Sequence, residues 1–80
     1  MTELRLFAQA REAAGRPRDS FTAETLGELL AQATARYGPV FRDVLAGARV
    51  WVNGDEPLAG DATLLAPDDE VAVLPPVSGG

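Results

Sequence analysis

The chain opens in alternation. Between Met1 and Ala8, Leu4, Leu6 and Ala8 fall on one side and Glu3, Arg5 and Phe7 on the other, the two-residue period of a strand with one buried face. Arg11-Glu12-Ala13-Ala14-Gly15 joins helix formers to a closing glycine and predicts about one helical turn before the chain reverses at Arg16-Pro17. A second short strand fits Asp19 to Thr22, with Phe21 as its core anchor. Thr25-Leu26-Gly27-Glu28 has the spacing of a capping box, in which the Thr hydroxyl and the Glu carboxylate satisfy free amide donors at a helix start. Leu26, Leu29, Leu30, Ala33 and Tyr37 then recur at helical spacing, with Glu28, Gln32 and Arg36 opposite, so this helix lays one side on a sheet. Gly38-Pro39 ends it. Val40, Phe41, Val44 and Leu45 predict a further short helical turn that closes the core, ended by Gly47.

Alternation returns at Arg49 to Asn53, with Val50 and Val52 set against Arg49 and Trp51, and Asn53-Gly54 is a tight-turn signal. Glu56 to Leu65 is irregular, broken by Pro57, Gly60 and Asp61; Pro67-Asp68-Asp69 predicts a turn, and Glu70 to Leu74 the last strand. Strand, strand, helix, strand, irregular edge, strand is an α+β order. It suits one mixed sheet wrapped around one main helix, the ubiquitin-like β-grasp, with the first and last strands parallel at the centre. Residues 1–75 are read as that domain and 76–80 as a tail. If Leu4, Leu6, Val50, Val52, Val71 and Val73 face the helix, strand parity puts Phe7, Trp51 and Leu74 together on the outer face. A contiguous apolar patch at the root of a tail is a candidate partner-binding surface, and Arg11 a candidate for pairing with an acidic surface of that partner.

The closing stretch, Leu74-Pro75-Pro76-Val77-Ser78-Gly79-Gly80, carries the candidate chemistry. Pro75 and Pro76 fix φ and make a stiff extended approach. Gly79 and Gly80 have no Cβ and leave a thin backbone that fits a narrow channel. A terminal carboxylate has an ordinary pKa of about 3.3–3.7 and is a poor electrophile near neutral pH, so it must be activated before its carbonyl is attacked.

Composition sends that activation elsewhere. The 80 residues hold no Cys, no His and no Lys, all seven basic residues being Arg. This removes thiolate nucleophiles, imidazole bases, the usual zinc ligands, a Schiff-base amine and a phosphate-loop lysine. A chain of this length buries one modest core and holds no enzyme cleft of its own. A net charge of −5 argues against nucleic acid and anionic membranes and for a partner with a basic docking surface. No leader-like or spanning apolar run is read at Met1, so a cytoplasmic location is expected.

Phe7-Ala8 followed by Arg11-Glu12 and Gly15, then Val52-Asn53, Asp69-Glu70-Val71-Ala72 and Pro75-Pro76-Val77-Ser78-Gly79-Gly80, resemble the small subunit of molybdopterin synthase, the MoaD-type sulfur carriers. The resemblance runs over most of the chain, and the ending is its specific part. It implies that an adenylating enzyme related to ubiquitin-activating enzymes uses ATP to make an acyl-adenylate on Gly80. A sulfur donor protein then converts this to a thiocarboxylate. The tail, Pro75, Pro76, Val77, Ser78 and Gly79 leading to Gly80, enters the synthase large subunit. There two carriers each give one sulfur to cyclic pyranopterin monophosphate, in an assembly implied to be a heterotetramer. The catalytic side chains lie in that partner, and no cofactor is bound by this chain. Thiamine-pathway carriers share the Gly-Gly end but generally lack the Pro-Pro-Val approach. Carriers for tRNA thiolation, protein modifiers and a non-covalent ubiquitin-like binding module are the other readings.

Overall fold

The computed structural model describes residues 1–76. Four strands form one sheet: β1 (Thr2–Leu6), β2 (Arg18–Phe21), β3 (Arg49–Val52) and β4 (Glu70–Leu74), in the order β2-β1-β4-β3. β1 and β4 are the parallel central pair, with Leu4 opposite Val71 and Leu6 opposite Val73; β2 and β3 flank them antiparallel. Alternation decides which face is covered. Leu4, Leu6, Val71 and Val73 are buried beneath the helices, while Glu3, Arg5, Ala72 and Leu74 are half-buried on the other side. This is the ubiquitin-like mixed sheet with the predicted central strands.

Three helices cover the inner face: α1 (Ala8–Ala14), α2 (Leu26–Tyr37) and α3 (Pro39–Ala46), and a 3-10 turn at Gly60–Ala62 closes the edge. Leu26, Leu29 and Ala33 of α2 are buried, as the spacing predicts. Thr25 Oγ1 accepts the Glu28 amide at 3.2 Å, but the reciprocal half of the capping box does not form; the Glu28 carboxylate instead lies 3.5 Å from Gln32 Nε2. The amide at Leu26 is taken by the Thr63 carbonyl, which ties the helix start to the irregular segment.

Three expectations are corrected. The first strand stops at Leu6, because Ala8 sits at φ 50° and turns the chain directly into α1. The Arg11–Gly15 turn is thus the second half of a longer helix, whose C-cap Gly15 at φ 78° meets the left-handed requirement of that position. The segment after Gly38-Pro39 is an eight-residue helix with Pro39 at its start. Its turn buries Phe41 and half-buries Val44 and Leu45, one i, i+3, i+4 stripe, and leaves Val40 exposed rather than in the core. Asn53 (φ 52°) and Gly54 (φ 83°) form the predicted turn, closed by a Val52–Asp55 bridge. Among the described residues no helix is long and apolar enough to cross a membrane.

Candidate functional site

β4 is a central strand, and its C-terminal end is where the candidate tail leaves the sheet. Pro75 is buried and Pro76 exposed. Val77, Ser78, Gly79 and Gly80, the remaining tail positions of the sequence reading, lie outside the described residues. Because β1 runs parallel to β4, its end arrives beside the tail root. The Phe7 amide donates to the Val73 carbonyl at 3.3 Å, and the Phe7 carbonyl accepts the amides of Ala10 and Arg11 in α1 at 3.0 and 3.4 Å. The Phe7 backbone is therefore fixed while its ring is 42% exposed.

The outer face can be laid out from the register. Arg49 stands opposite Leu74; Trp51 and Arg5 flank Ala72 on either side; Arg18 stands opposite Arg5; Glu3 is opposite Glu70. Phe7, Leu74 and Trp51 thus share this face, Phe7 and Leu74 nearest the tail root. Trp51 is half-buried and borders a cleft of about 300 Å³ that also touches Leu26, Val50 and Pro57, so its surroundings come from the helix side as well. Arg5 sits mid-face, 3.8 Å from Glu3 and 3.6 Å from Glu70. Arg11 is exposed on α1.

Two polar clusters escaped the sequence reading. Asp19, on the inner side of edge strand β2, accepts the Tyr37 hydroxyl at 2.6 Å and Arg36 at 2.9 Å, with Arg16 at 3.4 Å and the Ser20 amide on its other oxygen at 2.8 Å. Burial by itself would raise its pKa. The hydrogen bonds from Tyr37, Arg36 and Ser20 and the Arg36 charge outweigh it and hold the carboxyl at about 2. Tyr37 is pushed well up, by burial and by the hydrogen bond and charge of Asp19. At the opposite edge of the sheet, Asn53 donates to Asp69 at 2.9 Å and accepts the Glu70 amide at 2.9 Å, and Asp69 accepts the Ala66 amide at 2.7 Å. Those bonds, the Ala66 amide first, lower the Asp69 carboxyl.

Both clusters are satisfied networks that tie β2 to α2 and β3 to β4. Each ionised group is spent on structure, with no nucleophile beside it. Among the described residues no group of three or more His, Cys, Asp or Glu is placed to hold a metal ion. A cleft of about 370 Å³ between Phe21, Ala23, Leu64 and Pro67 has Glu24 as its one ionisable side chain, a lining without an acid–base pair.

A model of the ThiS family matches residues 4–80. The chain is similar to small archaeal modifier protein 1 from Methanosarcina acetivorans, at 33% identity and TM-score 0.87, covering 99% of this chain and 95% of that one. It is similar to small archaeal modifier protein 1 from Haloferax volcanii, at 29% identity and TM-score 0.80, covering 99% and 98%. A Pyrococcus furiosus protein described as molybdopterin converting factor, subunit 1, superposes at TM-score 0.82 with 22% identity, covering 95% and 97%, a likeness of fold. No curated protein matches the chain.

Proposed function

We propose, from the premise that the chain belongs to the ThiS family of ubiquitin-like sulfur carriers, that Gly80 is the carrier atom's anchor and that the sulfur is destined for molybdopterin. The observation that carries the reading is the tail root. A central strand ends at Leu74, passes through Pro75-Pro76 beside the partly exposed Phe7, and is followed in sequence by Val77-Ser78-Gly79-Gly80. The described side chains supply a scaffold and a docking face but no phosphate-binding lysine, so ATP chemistry falls to a separate adenylating enzyme. The Gly80 carboxylate oxygen attacks the α-phosphorus and pyrophosphate leaves. Sulfide then attacks the acyl carbon and AMP leaves, giving a thiocarboxylate whose sulfur is the better nucleophile. The synthase large subunit, with Phe7, Leu74, Trp51 and Arg11 as its docking contacts, receives the tail and passes the sulfur to cyclic pyranopterin monophosphate.

The similarity to small archaeal modifier protein 1 favours a second reading, in which the activated Gly80 carbonyl is attacked by a lysine amine of another protein and forms an isopeptide. Intact mass analysis separates the two. After incubation with ATP, the adenylating enzyme and sulfide, the chain gains sulfur for one oxygen at Gly80, and the purified product yields molybdopterin when mixed with the large subunit and the pterin precursor. A chain lacking Gly80 does neither. Gly80 joined to lysines, with no thiocarboxylate at any stage, makes the chain a modifier. A thiocarboxylate that the large subunit does not use moves it to another sulfur-transfer pathway. No change of mass leaves a binding module.

A further inference from the structure

The end of the molecule away from the tail carries an apolar surface that the Gly80 chemistry does not use. β1 and β4 start there and β2 and β3 finish there, so residues 22–25 and the long connection 53–69 close it. The cleft of about 370 Å³ between Phe21, Ala23, Leu64 and Pro67 opens on this end. Backbone hydrogen bonds tie its walls together. The Leu65 amide donates to the Glu24 carbonyl at 2.9 Å, the Leu26 amide to the Thr63 carbonyl at 2.9 Å and Thr2 Oγ1 to the Ala66 carbonyl at 3.0 Å, around a Thr25–Leu64 bridge. On this fixed backbone the Leu64 side chain is 79% exposed and Met1 72%. Large apolar side chains held in water on a rigid rim, beside an apolar hollow, add little to the core and mark a surface that a partner can dry.

Charge selects the occupant. Residues 22–25 and 53–69 hold six carboxylates, on Glu24, Asp55, Glu56, Asp61, Asp68 and Asp69, and no arginine. Glu24 lines the cleft, and exposed Asp68 follows Pro67 at its rim. Among the described residues neither has an arginine within 4.0 Å. Arg36 lies over the Phe21 ring at 4.3 Å, but its charge is answered by Asp19 at 2.9 Å. The Met1 amine adds one positive charge at the edge, while Arg18 and Arg49 stand at the tail end, opposite Arg5 and Leu74. Docking responds to charges within a Debye length of about 8 Å at physiological salt, and around this cleft those are mainly carboxylates. They repel nucleic acid and anionic lipid, and two such ends repel each other. The Thr2 hydroxyl is bonded to Ala66, which leaves few polar groups to orient a small molecule. We propose that the cleft docks a partner protein through a segment rich in arginine or lysine, whose large apolar side chains enter beside Leu64 while its cations meet Glu24 and Asp68. The basic partner surface expected from net charge meets the molecule here. β1 and β4 are five residues long, so four steps of about 3.3 Å, roughly 13 Å, separate the cleft from the tail root. The chain is thus held at one end while its tail engages a second protein. This goes beyond the proposed function and does not depend on it.

The test titrates a synthetic peptide, Arg-Arg-Leu-Leu-Arg-Arg, into the isotope-labelled full chain and follows amide chemical shifts. Shifts should gather at residues 22–25 and 63–68 and leave Phe7, Arg49 and Leu74 unmoved. A peptide with serines for the leucines, and one with glutamates for the arginines, should each bind about tenfold or more weaker, and salt should weaken the parent. Leu64→Ser and E24K/D68K change exposed side chains, and unfolding curves verify that both variants fold. Each should lose affinity by a similar factor, while Leu74→Glu, at the other end, keeps it. No saturable shift at the cleft up to millimolar peptide, shifts centred on the tail root, or unchanged binding in Leu64→Ser and E24K/D68K overturns the proposal and leaves the Gly80 chemistry standing. Equal binding of the serine or the glutamate peptide overturns it as well, since the cleft would then read only charge or only apolar surface. Self-association in sedimentation that Leu64→Ser abolishes, without peptide shifts, would assign the cleft to a second copy and overturn the proposal.

Discussion

On the helix side of the sheet, Leu4, Leu6, Val71 and Val73 are sealed from solvent; on the other side of the same two strands, Glu3, Arg5, Glu70, Ala72 and Leu74 stay half-exposed. One backbone and one register produce both faces, because the side-chain period is two and a single strand serves both. The inner face is completed by the chain's own helices. The outer face has Arg5 held between two carboxylates at its middle and a loose apolar patch near the tail root. Stability therefore rests on one face and the proposed docking on the other, and substitutions should divide the same way.

The largest effect should come from the inner face. Phe41 is fully buried and stacks edge-on against Tyr37 at 5.0 Å between ring centroids. Phe41→Ala removes that contact and opens a cavity that α3, pinned between Pro39 and Gly47, closes only in part. We expect a loss of about 3–5 kcal/mol in chemical denaturation. A loss under 1 kcal/mol would show α3 to be dispensable to the core.

Gly27 tests the seam between α2 and the irregular segment. A Cβ there would meet Asp61 Cβ at 2.9 Å and the Asp61 carbonyl oxygen at 3.2 Å. Helix propensity alone favours Ala over Gly by up to about 1 kcal/mol. The clash involves backbone, which is costly to move, and overpacking typically costs about 1–3 kcal/mol. Gly27→Ala should thus destabilise by about 1 kcal/mol; a stabilised variant would mean that the Gly60–Ala62 turn yields freely.

Tyr37→Phe removes the hydrogen bond to Asp19 and should cost about 1–2 kcal/mol at neutral pH. The pH dependence has a definite sign. The Asp19 carboxyl titrates at about 2 in the folded protein against an ordinary 3.8, so the unfolded chain binds more protons in that window. Its contribution is complete above 3.8 and is lost as pH falls toward about 2. Asp69, also lowered, adds to the same acid limb. In Tyr37→Phe the Asp19 carboxyl should titrate higher, and thermal melts across acidic pH should show a shallower decline than the wild type.

These clusters mark where the sequence stopped being legible. The alternation around Leu4–Leu6 and Val71–Val73, the Thr25 cap and the Asn53-Gly54 turn are local patterns with local causes, and each forms. Asp19 in a strand reads only as a poor strand former, because its partners Tyr37 and Arg36 come from 18 and 17 residues away. The Asn53–Asp69 bond spans 16. Ala8 carries no turn signal in its identity; its left-handed backbone follows from where Phe7 must lie against β4. Of the candidate site, parity alone placed Phe7, Trp51 and Leu74 on one face, whereas the pairing of Leu74 with Arg49 required the register of β3 on β4.

The smallest effect on stability should come from the outer face, and it sharpens the comparison most. Leu74 and Arg49 are direct cross-strand partners. Leu74→Glu therefore sets a carboxylate opposite a guanidinium that has none within 4.0 Å among the described residues. An opposite-charge pair across strands contributes roughly 0.2–1 kcal/mol, against the loss of a half-buried apolar side chain of about the same size, since complete burial of a leucine is worth about 1.5–3 kcal/mol. The unfolding midpoint should stay near that of the wild type. Docking should suffer through the missing apolar contact and through the carboxylate set in the apolar patch. The single substitution should then weaken binding to the synthase large subunit in a titration, as should Phe7→Arg, which removes the apolar ring at the same tail root. Leu74→Glu binding as tightly as wild type, with its fold intact, would place the docking surface away from the tail root. A variant that unfolds would assign Leu74 to the core rather than to the partner.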